Sequence, residues 1–195
     1  PAGGTWPARR PPGSPRAAPG LAAVVFLFAP SRELLCCPPM VLDFTKMNGA
    51  GNDFVLLDNR AGKISLTTEQ VVRLCDRHRG VGADGVMMLV PARGAKADWA
   101  WDFYNSDGSV AEMCGNGARC FARYVQKTTG TTRNLTFETV AGIISASFNG
   151  DLVTVNLTPP QDLKLGQTVP LAAGTATIHS LNTGVPHAVL FVTDA

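Results

Sequence analysis

The sequence predicts an α+β fold with mainly antiparallel strand pairing. Three observations carry this: short apolar strand segments recur from Val41 to Val192, apolar residues take helical spacing in only two stretches, and Gly- and Asn-rich turns separate neighbouring strands. Residues 41–47 and 53–58 read as strands joined by Asn48-Gly49-Ala50-Gly51-Asn52. Residues 67–78 read as a helix. Thr67 and Gln70 make a capping box at its start, and Val71, Leu74, Cys75 and His78 share one face. GVGADG, with Gly80, Gly82 and Gly85, then makes a tight connection to a short apolar strand at 86–90. Trp99, Trp101 and Phe103 alternate with Ala100 and Asp102, as in a half-buried strand.

The second helix is expected over about 116–127. Arg119, Arg123 and Lys127 form a single basic stripe, while Ala118, Phe121, Ala122, Tyr124 and Val125 cover most of the rest. That pattern describes a largely buried helix with one narrow wet edge. Strands follow at 135–140, 143–148 and 152–157, the last two joined by an Asn149-Gly150 turn. Thr158-Pro159-Pro160 breaks the pattern and marks the best domain boundary. Two further strands, 176–181 and 188–192, are linked by Asn182-Thr183-Gly184-Val185-Pro186-His187.

Composition excludes several function classes. Hydrophobic residues make up 45% and charged residues 16% of 195, which suits a core-forming soluble protein. In residues 1–39, Arg9, Arg10, Arg16 and Arg32 face only Glu33, a balance of +3. Taking this from the total of +2 leaves 40–195 at −1. No basic patch points to nucleic acid. Five cysteines (Cys36, Cys37, Cys75, Cys114 and Cys120) make neither a disulfide framework nor a zinc-spaced cluster, so a reducing cytoplasm is expected. The apolar run at 21–30 is too short to span a membrane, although with Arg9-Arg10 it imitates a signal peptide. Patterned sequence starts at Met40, and 1–39 reads as a disordered, non-native upstream extension.

The chemistry concentrates in Phe103 to Cys120, FYNSDGSVAEMCGNGARC. Cys114 stands directly before Gly115-Asn116-Gly117, a turn that opens the second helix. A sulfur there faces unpaired backbone N–H groups and the positive end of the helix dipole, surroundings that favour a thiolate. Most free cysteines are simply small buried hydrophobes. The polar company of Cys114 argues against that here, whereas Cys75 and Cys120 lie on apolar helix faces and read as core. The Gly49-Ala50-Gly51-Asn52 piece is not a dinucleotide fingerprint, since it lacks the GxGxxG spacing and a following helix. GVGADG lacks a phosphate-binding lysine. Asp53 and Asp107 read as turn residues, and His187 as a loop histidine that could tune a nearby thiol.

Four segments together resemble diaminopimelate epimerases: FTKMNGAGNDFVLLDNR, DRHRGVGADGVM, FYNSDGSVAEMCGNGARCFARYV and NTGVPHAV, in that order across 40–195. The resemblance implies a mixed or antiparallel sheet wrapped around a central helix. It also implies two similar domains, 40–158 being the first and 159–195 the truncated start of the second. It further implies a cofactor-independent, cytoplasmic isomerase that converts LL-diaminopimelate to the meso form with two cysteines on opposite faces of the α-carbon. By position, Cys114 matches the first catalytic cysteine. Asn52, Asn105, Gly115 and Asn116 match substrate-binding residues, and His187 matches a histidine that influences the thiol pair. No metal site is implied. The expected partners are the small-molecule substrate and, in the intact protein, a second copy in a homodimer, with neither nucleic acid nor membrane. Two positions depart from the family pattern: Gly85 stands where some members carry a substrate-contacting Gln, and Val185 where many carry Asn. None of the five cysteines can serve as the second thiol, so the fragment is expected to be inactive alone. Three other readings remain at this point: a related two-cysteine racemase acting on proline or hydroxyproline, a binding module of the same fold without the chemistry, and a secreted or membrane-tethered protein, which rests on residues 1–39.

Overall fold

Among the described residues, eleven strands form two sheets accompanied by two helices. In this computed structural model the described residues are 22–25, by backbone only, 41–172 and 174–193. The first sheet has eight strands in chain order: β1 (Ala22–Val25), β2 (Val41–Gly49), β3 (Asn52–Asp58), β4 (Gly85–Pro91), β5 (Trp99–Asn105), β6 (Leu135–Thr139), β7 (Gly142–Asn149) and β8 (Leu152–Asn156). Helix α1 (Thr68–Cys75) connects β3 to β4, and α2 (Gly115–Thr129) connects β5 to β6. Both of those strand pairs are parallel and the others antiparallel, as expected when a helix rather than a hairpin makes the crossover. The sheet is therefore mixed, with more parallel pairing than the strand pattern alone suggests.

Helix α2 packs against β2, β3 and β4 and also against β7 and β8. Strands from both halves of the order touch one helix, so the sheet curls around it. Phe54, Leu56, Met87, Leu89, Trp101, Phe121, Phe137 and Ile144 fill the space between. Trp101 and Phe121 meet edge to face with centroids 5.5 Å apart, and Phe121 lies 4.9 Å from Phe137. On the opposite face Val55, Leu57, Val86 and Met88 pack with Val71, Leu74 and Cys75 of α1. Covered on both faces, β3 and β4 bury nearly continuous apolar runs.

Helix termini follow the sequence with one difference. Thr67 and Gln70 form the expected reciprocal cap on α1. The helix stops at Cys75, not at His78. Asp76 accepts the N–H groups of His78 and Arg79, and that local capture ends the helix and leaves His78 exposed in a turn. The chain then folds back tightly: a Cβ at Gly80 would lie 2.0 Å from the Arg73 carbonyl oxygen. Helix α2 ends on Gly130, whose φ of +71° suits a residue without Cβ.

Three hairpins of the first sheet, β2–β3, β6–β7 and β7–β8, close on two-residue turns. β2 and β3 turn through Ala50 and Gly51, with φ of +53° and +100°. This two-residue loop puts an alanine where glycine or asparagine is preferred. Between β7 and β8 the turn residues are Gly150 and Asp151, one place beyond the expected Asn149-Gly150. Asn149 pairs with Leu152, and Gly150, with φ of +56°, takes the first turn position. Arg123 donates to the carbonyls of Gly150 and Leu152 and stacks over Phe148, so the α2 stripe is only partly wet.

The second sheet holds β9 (Gln161–Leu171), β10 (Gly174–Asn182) and β11 (Pro186–Val189), in the order β11-β10-β9. β9 escapes a pattern reading because Gly166 and Pro170 interrupt it; as an edge strand it tolerates the proline. His187 lies on β11 opposite Leu181, not in the loop. Residues 22–25 pair with β2 at the edge of the first sheet, which differs from the expectation that all of 1–39 stays outside the fold. The rest of that segment lies outside the described residues.

Candidate active site

Strand register gathers the candidate residues at one end of the first sheet. Phe54 of β3 pairs with Gly85 of β4, and Gly85 pairs with Asn105 of β5. Asn52, Asp84 and Asn105 therefore sit at three adjacent strand ends. The mouth of α2 joins them because Gly49 lets the β2–β3 hairpin approach the helix. A Cβ there would lie 2.8 Å from both the Asn116 carbonyl oxygen and Cys120 Sγ.

Cys114 is the N-cap of α2, with extended backbone, and its Sγ accepts the Gly117 N–H at 3.4 Å. The side chain is half-buried at the rim of the apolar core. Helix geometry leaves the N–H groups of Gly115 and Asn116 without intrahelical acceptors, so the sulfur and two backbone donors share one opening. A Cβ on Gly117 would lie 2.2 Å from Met87 Cε, so close helix–sheet packing fixes this turn. The other described thiols differ. Cys75 and Cys120 are buried, and burial pushes each up to about 11, leaving them poor thiolates near neutral pH.

Beside Cys114 runs a chain of side-chain hydrogen bonds. Arg119 donates to Asn116 Oδ1. Asn116 Nδ2 donates to Asn52 Oδ1 at 2.8 Å, and Asn52 Nδ2 donates to Asp84 Oδ2 at 3.0 Å. The same Asp84 oxygen accepts the Asp53 N–H at 3.1 Å, and its other oxygen accepts from Arg77 at 2.8 Å. Arg77 grips Asp53 through two further bonds, and Lys46 Nζ stands 3.1 Å from Asp53. Arg77, with Lys46, holds the Asp53 carboxyl well below the usual carboxylate range, against the opposing effect of partial burial. Asp53 is thus the centre of an ion cluster, not the turn residue that its Asn-Asp context suggests. Asp107 does cap a turn, accepting from the Ser109 N–H and hydroxyl.

The structure brings Cys114, Gly115, Asn116 and Asn52 together. Asn105 lies at the same sheet end, where its Nδ2 donates to Ser109 Oγ at 3.0 Å. His187 is exposed, and its Nε2 lies 3.0 Å from Thr183 Oγ1; no hydrogen bond among the described residues joins it to Cys114. The loop before it does reach the site's flank, since a Cβ at Gly184 would lie 3.3 Å from Met113 Cγ. Val185 is half-buried and packs against the same core as Cys114. Gly85 has no room for a side chain: a Cβ there would lie 2.6 Å from the Tyr104 carbonyl oxygen. Sequence reasoning missed Asp84 and Arg119 as parts of the site. The available signals were a lone carboxylate ahead of an apolar strand and an arginine within the first turns of the cysteine-capped helix.

A family model described as diaminopimelate epimerase matches residues 44–163, most of the chain. The chain belongs to the diaminopimelate epimerase family. Among curated members of that family, the diaminopimelate epimerase of a Hydrogenobaculum species is 43% identical over 157 residues, covering 76% of this chain and 57% of the relative. That of Aquifex aeolicus is 40% identical over 163 residues, covering 78% and 58%. The chain thus spans under three-fifths of the length of these two relatives. Among solved structures, a hydroxyproline epimerase from Agrobacterium vitis superposes with a TM-score of 0.60 at 16% identity, covering 75% of this chain and 50% of that one. A probable proline racemase from Agrobacterium radiobacter gives 0.59, also at 16% identity, covering 75% and 51%. At such identity these two establish a shared fold and nothing more. No helix among the described residues is long and apolar enough to cross a membrane.

Proposed function

We propose that this chain supplies one half of a two-thiol epimerase site for diaminopimelate, with Cys114 as the thiol that exchanges a proton with one face of the α-carbon. The observation that carries the reading is the placement of Cys114: half-buried, capping α2, and beside open backbone N–H groups and the Asn52–Asn116 amide pair. Family membership favours diaminopimelate over proline-type substrates.

The chemistry explains why such a corner suits the task. An α-proton beside an ammonium group is a very weak acid, so removing it requires stabilisation of the charge that develops on the adjacent carboxylate. Donors already aimed at that carboxylate, with water kept out, provide it without reorganisation. The first-turn N–H groups of Gly115 and Asn116 and the amides of Asn52, Asn116 and Asn105 are the donors of this reading. Inversion needs a second proton carrier on the opposite face. Cys75 and Cys120 do not fit that role, because both are buried and burial disfavours their thiolates. We assign the second thiol to sequence corresponding to the remainder of the relatives' length, and 159–193 to the start of a second domain of similar build. Exposed Leu163, Leu165, Leu171 and Phe191 support that assignment. His187, carried on the second sheet, would tune the thiol pair only once that second domain is complete.

The test is incubation of the purified chain with LL-diaminopimelate in D2O. The expected result is slow deuterium incorporation at the α-carbon without net conversion to the meso form, and loss of incorporation in Cys114→Ala. Net conversion by this chain overturns the two-thiol division. Equal incorporation by the Cys114→Ala variant overturns the role of Cys114.

A further inference from the structure

The chain of bonds beside Cys114 begins and ends on groups that cannot reverse their roles. A guanidinium only donates, and an ionised carboxylate only accepts. Arg119 therefore forces Asn116 to turn Oδ1 toward it, which sends Asn116 Nδ2 toward Asn52. Asp84 forces Asn52 to turn Nδ2 toward it, which leaves Asn52 Oδ1 to accept from Asn116 Nδ2. An Asn amide is nearly symmetric in shape, so packing alone does not choose between its two orientations. Here the charges at both ends choose the same one.

We propose that Asp84 and Arg119 are positioning residues that lock the Asn52 and Asn116 amides into one orientation, so that this corner offers N–H donors to a carboxylate. Each NH2 group spends one hydrogen inside the chain and keeps the other, while each Oδ1 already accepts a bond. The corner then suits a carboxylate oxygen better than an ammonium group. Arg119 adds to the preference: no carboxylate pairs with it among the described residues, and it is half-buried. Asp84 is in turn fixed by Arg77 and by the Asp53 N–H. The identity of the bound carboxylate rests on the proposed diaminopimelate reading; the orientation of the amides rests on hydrogen-bond chemistry alone.

The experiment is side-chain amide NMR of the full chain in wild type, Arg119→Gln, Arg119→Lys and Asp84→Asn, followed by titration with diaminopimelate. Gln can present either an oxygen or an NH2, so it removes the polarity while keeping the side chain. The expected result for Arg119→Gln is a shifted and more mobile Asn52 amide, one residue beyond the direct contact, with unchanged backbone spectra and recovery in Arg119→Lys. Asp84→Asn should perturb the Asn116 amide in the same remote way. Affinity for diaminopimelate should fall about tenfold or more in Arg119→Gln, as expected for loss of a charge-assisted bond. An Asn52 amide indifferent to Arg119→Gln overturns the proposal whether or not the ligand binds. Remote coupling in a wild-type chain that does not bind diaminopimelate supports the positioning role and removes the substrate assignment instead.

Discussion

The two sheets differ in what covers them: among the described residues only the first acquires a core. In the first, Phe121, Val125 and Ala122 of α2 are fully buried against strands on either side, and α1 covers the outer face of β3 and β4. In the second, Leu163, Leu165 and Leu171 remain more than half exposed, with no helix among the described residues to meet them. Alternation alone makes a strand; a partner element makes a core. Cys114, Asn52, Asn105 and Asn116 all belong to the first region, because Cys114 needs a helix held rigidly from several sides.

That contrast can be broken most strongly at Phe121. Phe121→Ala leaves a cavity between α2 and the curled sheet and should cost about 3–5 kcal/mol in urea unfolding, whereas Leu165→Ala should change stability by less than about 0.5 kcal/mol. A large loss at Leu165 would mean that the second sheet is as tightly built as the first.

Next in size is the ion cluster at the site. The folded Asp53 carboxyl is depressed, so its contribution is present above the unfolded value of roughly 3.9 and is lost as pH falls toward the folded value. Asp53→Asn should lower stability by about 1 kcal/mol at pH 7, and its gap from wild type should close as the solution is acidified below about pH 4. A gap independent of pH would remove the ionic explanation.

A smaller effect is expected at the β2–β3 turn. Ala50, at φ +53°, should be more stable as glycine by about 1 kcal/mol, measured as a rise in melting temperature. No change, or a loss, would show that the turn relaxes.

The same comparison explains what the sequence made legible. Capping residues and helical spacing located both helices, because Thr67, Gln70 and the apolar face of α2 act within a few residues of one another. Cys114 was legible for the same reason: cap, turn and helix are contiguous. The parallel pairing of β3 with β4 was not, since it depends on how α1 packs. β9 was hidden by Pro170 and by its polar alternation. Asp84 was hidden because its partner Asn52 is 32 residues away, and Arg119 because its bond to nearby Asn116 bears on the site only once folding brings Asn116 against Asn52.

The most direct test of Cys114 as the working thiol is site-resolved alkylation near neutral pH, read by mass spectrometry, with and without diaminopimelate. Cys114 should react well ahead of Cys75 and Cys120, and diaminopimelate should protect it. A Cys114 as slow as Cys120, or alkylation unaffected by diaminopimelate, would contradict the account.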